Sequence, residues 1–218
     1  MTRAAIVLAG GDPVDAELKA RLPEAFLVVA ADSGLHQAGP LGLHVDCVVG
    51  DFDSADPAEV EAARAAGADV ERHPPDKDAT DLELALDAAC ARGAAQVTVV
   101  GGAGGRLDHF LGNVGVLASP RFAGVEVDAW FGDAYVRVLH GGGAACAITG
   151  APGSLVTLLP AGGDAHGITT AGLEYPLRGE TLPAGTTRGV SNVLVGSVGS
   201  VVLEQGTLLV VQAFGGAR

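Results

Sequence analysis

The stretch Val48–Pro57, VVGDFDSADP, decides how the rest of the chain is read. Two valines run into Gly50, and Asp51 and Asp53 then flank a single Phe52. A short apolar run ending in Gly and Asp fits a strand buried on both faces of a parallel sheet. Asp56-Pro57-Ala58-Glu59 then reads as a helix start, with an N-cap, proline at the first helical position and an acid at the third. Strand, acidic loop and helix therefore follow one another directly. Two like charges two residues apart repel, and a protein tolerates them most readily with a cation between them.

The same pattern recurs on either side. AAIVLAG (4–10), FLVVAAD (26–32), QVTVVGG (96–102) and VEVDAWF (125–131) are further short apolar runs. Thr80-Asp81-Leu82-Glu83 reads as a capping box ahead of Leu82, Ala85, Leu86 and Ala89. The alternation predicts an α/β domain, doubly wound and Rossmann-like, over residues 1–134. Beyond it no helical pattern appears. AYVRVLH, SLVTLLP, SNVLVG, SVVLEQ and TLLVVQAF are β-prone runs broken by Gly and Pro, which predicts an antiparallel sandwich or barrel over residues 135–218.

Composition narrows the function classes. The chain has 218 residues, 48% of them hydrophobic, enough for one large domain or two small ones. No apolar run approaches the roughly 20 residues of a membrane span, and MTRAAIVLAGGDPVD reads as a first strand rather than a signal peptide. Cys47, Cys90 and Cys146 form neither a disulfide framework nor a zinc pattern, and fit a cytoplasmic protein. The net charge of −13 resides entirely in residues 1–133, while residues 134–218 balance to zero. Nucleic-acid binding would need a basic stripe instead.

In open α/β sheets ligands bind beyond the carboxyl ends of the strands. Four segments deliver polar groups there: ADSG (Asp32, Ser33, Gly34), GDFDS (Asp51, Asp53, Ser54), DKDATD (Lys77, Asp78, Thr80, Asp81) and GGAGGRLDH (Arg106, Asp108, His109). Several clustered carboxylates suit magnesium, which takes oxygen ligands from carboxylates and substrate phosphates. A glycine loop running into a helix supplies backbone N–H groups for phosphate, and Arg106 adds a bidentate donor. Singly, each piece has a plainer role. Asp32 can be a turn residue, Glu83 a capping group, Lys77 a surface charge and His109 a packed side chain. Three acidic clusters at neighbouring strand ends exceed what capping requires.

In order, ADSG, GDFDS, PPDKDATDLELAL, GGAGGRLDH and the downstream GVSN resemble thiamine pyrophosphokinase (thiamine diphosphokinase). The resemblance implies an α/β catalytic domain, a C-terminal β-sandwich that helps bind thiamine, and a homodimer whose active sites are shared between subunits. It implies Asp51, Asp53 and Asp81 as magnesium ligands, assisted by Asp78. Asp32, Ser33 and Gly34 would line the nucleotide site, Lys77 and Arg106 would lie near the phosphates, Thr80 would join the substrate-binding residues, and Asp108 would face the reacting centre or the thiamine. Ser191 and Asn192 would contact the thiamine pyrimidine, with Tyr175 as an aromatic wall. The implied reaction moves the diphosphate of ATP to the hydroxyl of thiamine, releasing AMP, with Asp81 or Asp108 taking the hydroxyl proton. Two other readings are a metal-dependent phosphohydrolase of the haloacid-dehalogenase type, from the D-x-D in DFDS, and a non-catalytic thiamine or nucleotide sensor.

Overall fold

The computed structural model describes residues 3–214. They form two compact units: the chain up to Val116 with Gly124–Gly132, and Leu117–Ala123 with the chain from Asp133 onward.

The first unit runs β1 (Ala4–Ala9), β2 (Leu27–Ala31), α1 (Ala38–Leu41), β3 (Cys47–Gly50), α2 (Pro57–Ala65), β4 (Asp69–Arg72), α3 (Asp81–Ala91), β5 (Gln96–Gly101), α4 (Leu107–Leu117) and β6 (Glu126–Phe131). The strands lie in the order β6-β5-β1-β2-β3-β4, every neighbouring pair parallel. Every residue of β1, β2 and β3 is buried, which is why these strands are written almost wholly in Ala, Val, Leu and Ile. The strand order reverses at β1, where Val7 pairs with Val29 of β2 on one side and Val99 of β5 on the other.

The helices begin where their signals stand. Asp56 accepts a hydrogen bond from the Ala58 N–H at 2.8 Å to open α2, and Thr80 accepts one from Glu83 at 3.3 Å to open α3. Leu82, Ala85, Leu86 and Ala89 form one buried face of α3, which packs across β1, β2 and β3. Helix α4 differs: only Leu117 is buried, and Leu107 and Leu111 stand 69% and 60% exposed. Strand β4, DVER, was not anticipated; it lies at the end of the strand order, pairs only with β3, and contains no fully buried residue.

The second unit holds β7 (Ala134–His140), β8 (Ala145–Thr149), β9 (Leu155–Pro160), β10 (Ala165–Ala171), β11 (Arg178–Leu182), β12 (Asn192–Val193), β13 (Val198–Val202) and β14 (Thr207–Ala213). Two antiparallel sets result, β12-β9-β14-β7 and β11-β10-β13-β8. Val156, Leu158, Leu208 and Val210 of the first set share one core with Ile148, Ile168, Leu182 and Val201 of the second. The run SNVLVG contributes only the two residues of β12. The fold is thus mixed α/β, with parallel strands in one unit and antiparallel strands in the other. Among the described residues no helix is long and apolar enough to cross a membrane.

Candidate active site

At the carboxyl ends of the parallel strands lies a crevice of about 620 Å³, lined by residues of the first unit alone. Strand β2 delivers Asp32, which opens a 3-10 turn (Asp32–Gln37) at φ +47° and is only 3% exposed. Its Oδ2 accepts a hydrogen bond from the Ser54 hydroxyl, and its buried Oδ1 has no hydrogen-bond partner. Strand β3 delivers Asp51 and Asp53 on either side of Phe52, itself at φ +63°. Arg72 holds this turn, donating to the Asp51 carbonyl at 2.8 Å while its guanidinium lies 4.7 Å from the centre of the Phe52 ring. Carboxylate oxygens of Asp32, Asp51 and Asp53 all lie within 4.8 Å of one another.

Gly50 makes this convergence possible. A Cβ there would lie 3.0 Å from the Asp32 Cβ and 3.2 Å from Asp81 Oδ1, so a side chain would push both acids away. Asp81, the first residue of α3, approaches from the next segment, and Lys77 lies between the acids. Its Nζ is 2.6 Å from Asp51 Oδ2 and 2.8 Å from Asp81 Oδ1. The Lys77 hydrogen bond holds the Asp51 carboxyl below its usual range. Burial opposes the charge on Lys77, but its bonds to Asp51 and Asp81 outweigh that and raise its pKa. Asp81 goes the other way: burial raises its carboxyl, although Lys77 pulls it down.

The other wall is backbone. Gly10 and Gly11 after β1, and Gly102, Gly104 and Gly105 after β5, line the crevice. Asn113 of α4 donates to the Gly102 carbonyl at 3.0 Å. At the start of α4, Arg106 grips Asp108 with two bonds, at 3.1 and 2.6 Å, and lowers its carboxyl to about 2. Both side chains are exposed at the mouth.

Of the residues singled out from sequence, Asp32, Ser33, Asp51, Asp53, Thr80, Asp81, Arg106 and Asp108 line the crevice together. Gly34 lies behind the wall, pressed against the Leu8 carbonyl. Lys77 joins Asp51 to Asp81 without lining the space, and Asp78 is exposed outside it. Tyr175, Ser191 and Asn192 belong to the second unit. There Asn192 is buried and clamps Tyr175: its Oδ1 accepts from the Tyr175 N–H at 3.1 Å and its Nδ2 donates to the Tyr175 carbonyl at 2.8 Å. Ser191 sits at φ +59° with its N–H donating to Thr157 Oγ1 at 3.0 Å. The glycines after β1 were not read as part of the site, although GGDP repeats the strand-then-glycine signal used for β5.

The donors fit a hard cation. All are carboxylate oxygens, and the unpartnered buried Asp32 Oδ1 is a group that a cation would satisfy. An acidic cluster facing two glycine loops, at the reversal of a parallel sheet, defines an α/β protein with its ligand crevice at the switch point. The comparisons make the class specific. Residues 18–128 match the family model "Thiamin pyrophosphokinase, catalytic domain", and residues 147–208 match "Thiamin pyrophosphokinase, vitamin B1 binding domain". The chain belongs to the thiamin pyrophosphokinase family. It is 26% identical to the thiamine pyrophosphokinase of Bacillus subtilis (strain 168) over 218 residues, covering 95% of this chain and 97% of that one. The crystal structure of the Bacillus subtilis thiamine pyrophosphokinase superposes with a TM-score of 0.82 at 26% identity, covering 96% of this chain and 98% of that one. That of the Geobacillus thermodenitrificans thiamin pyrophosphokinase gives 0.81 at 26%, covering 98% and 99%.

Proposed function

We propose that the protein is a thiamine diphosphokinase: it transfers the diphosphate of ATP to the hydroxyl of thiamine, yielding thiamine diphosphate and AMP. The observation that carries this is the joint match of both family domains, in order, on a chain that brings the carboxylates of Asp32, Asp51 and Asp53 together. The phosphohydrolase reading is disfavoured by position, since DFDS follows β3 rather than the first strand. The sensor reading would expect a degraded set of acids.

In this reading ATP lies in the crevice with its phosphates along the two glycine loops, whose backbone N–H groups hold oxyanions. Asp51, Asp53 and Asp81 would hold magnesium, with Asp32 beside them and Asp78 assisting. When bound, the ion offsets charge on the phosphate oxygens. Lys77 keeps Asp51 and Asp81 in place and shares their charge, and Thr80 caps the helix that carries Asp81. Arg106 turns from Asp108 to the phosphates, a bidentate donor in either state. The thiamine hydroxyl attacks the β-phosphorus, AMP departs, and the hydroxyl proton passes to Asp81 or Asp108.

The reversed strand order supports a doubly wound, Rossmann-like catalytic domain, and the core shared by two antiparallel sets supports a β-sandwich. Tyr175, 63% exposed, would face thiamine with Ser191 and Asn192. A homodimer with shared sites fits the exposed apolar side chains of Leu107 and Leu111 on α4 and of Val195 and Val198 in the second unit. A cytoplasmic setting is consistent with a chain lacking paired cysteines among its described residues.

The test is product analysis with purified protein, ATP, magnesium and thiamine. Thiamine diphosphate and AMP are expected in equal amounts. Release of ADP or phosphate, or a phosphorylated Asp51, would point to the hydrolase; substrate binding without turnover would point to the sensor.

A further inference from the structure

Gln37 is 0% exposed and takes no part in the chemistry above. It closes the 3-10 turn whose first residues, Asp32 and Ser33, face the crevice. Both ends of its carboxamide are engaged: Oε1 accepts from the Val14 N–H at 3.0 Å, and Nε2 donates to the Asp12 carbonyl at 3.0 Å. A buried amide paired at both ends to one loop fixes where that backbone lies.

The loop it fixes, Gly10–Val14, is tied in turn to the glycine loop after β5. The Asp12 N–H donates to the Ala103 carbonyl at 2.8 Å, and the Gly102 N–H donates to the Gly10 carbonyl at 2.7 Å. The approach is close. Gly11 sits at φ +127°, and a Cβ there would lie 2.2 Å from the Ala103 carbonyl oxygen. Gly10, Gly11, Gly102 and Gly104 all line the crevice. One side chain therefore sets the position of both backbone walls, from the same turn that presents Asp32.

We infer that Gln37 is a positioning residue for the nucleotide. Through the Gly10–Val14 loop it holds the two glycine loops at the spacing their N–H groups need to meet the phosphate chain, an inference that rests on the crevice being the ATP site. It does not line the crevice, and neither of its side-chain bonds involves the residues assigned to thiamine.

The test uses Gln37→Met, which keeps the bulk and loses both bonds, and Gln37→Asn, which keeps the amide on a shorter stem. The wild-type control is binding of the magnesium complex of a non-hydrolysable ATP analogue, followed by calorimetry. Gln37→Met is expected to raise the KM for ATP and the analogue Kd about 10-fold, roughly one hydrogen bond from a displaced loop N–H to the phosphates. The KM for thiamine should stay within about twofold, far below the tenfold that one such bond represents. Gln37→Asn should fall between, and amide exchange at Asp12 and Val14 should quicken in both variants. If Gln37→Met does not fold, the Gln37→Asn measurements decide alone. Lower thermal stability with unchanged ATP constants would make Gln37 a merely structural residue and overturn the inference. Failure of the wild-type protein to bind the analogue would instead overturn the reading of the crevice, and the inference with it.

Discussion

Asp81 carries opposed demands within a single side chain. Burial raises its carboxyl above the ordinary value despite Lys77, so the folded protein holds this proton more firmly than the unfolded chain does. The contribution of this group to stability is therefore greatest below the ordinary aspartate pKa and is lost as the pH rises through the raised one. Asp81→Asn, which cannot ionise, should make the metal-free protein more resistant to urea near neutral pH, with an advantage that shrinks on acidification. The same variant should lose nearly all turnover. A variant weaker than wild type at neutral pH in chelator would contradict the sign. Asn192 poses a different question, because its amide is spent on the Tyr175 backbone as well as being assigned to thiamine. Asn192→Ala would leave a polar group of bound thiamine unpaired in the complex, a loss of about 1–3 kcal/mol. The KM for thiamine should rise about 5- to 150-fold on that basis, with the KM for ATP unchanged. A change confined to the ATP constant would remove Asn192 from the thiamine site.

Helix α3 shows how an element serves the site. Its cap, Thr80, and its first residue, Asp81, are adjacent, so fraying of the first turn moves a carboxylate of the crevice. Thr80→Ala should cost about 1 kcal/mol of stability and Thr80→Ser much less. Denaturation midpoints of the pair check this; equal midpoints would mean that the cap contributes nothing. Elements of this kind were legible in the sequence because their signals are local. Caps at Asp56 and Thr80 and wholly apolar runs such as CVVG depend on a few neighbouring residues. Strand β4 was not legible, since an edge strand with one partner and no fully buried residue carries no apolar pattern. Strands β10 and β11, AHGITTA and RGETL, were not legible for another reason: their buried residues (Ala165, Ile168, Thr170 and Leu182) are too few and too widely spaced among Gly, His and charged residues to make an apolar run. In the site, the acids could be read from spacing alone. Gln37 and the Ser54 hydroxyl on Asp32 could not, because their partners lie 22 to 25 residues away and only the fold brings them together.

At the scale of the whole molecule, large apolar side chains stand in water. Leu107 and Leu111 of α4 and Val195 and Val198 of the second unit are each at least 60% exposed. If the dimer reading holds, sedimentation should show a dimer, and Leu111→Asp should convert it to an inactive monomer. Mixing inactive Asp51→Asn with Asn192→Ala, assayed at thiamine far below the raised KM where Asn192→Ala turns over little, and re-equilibrating should restore part of the activity, up to about a quarter of the sites if subunits exchange at random. A fully active monomer, or no recovery after proven exchange, would show that each site is built within one chain.

Three described residues other than glycine hold a left-handed backbone: Asp32, Phe52 and Ser191. An L-residue forgoes roughly 1–2 kcal/mol to stay there. All three stand in segments assigned to ligands, so the chain gives up thermal reserve where it meets them. Heat tolerance and turnover should therefore respond in opposite directions at these positions. Ser191→Gly is the informative case, because the Ser191 N–H that bonds Thr157 survives the change. Glycine removes the torsional cost, while its greater freedom in the unfolded chain returns about 0.4–1 kcal/mol of that gain. A homologue adapted to hotter surroundings, kept active, has little room to improve at these three places and must find its added stability elsewhere in the chain.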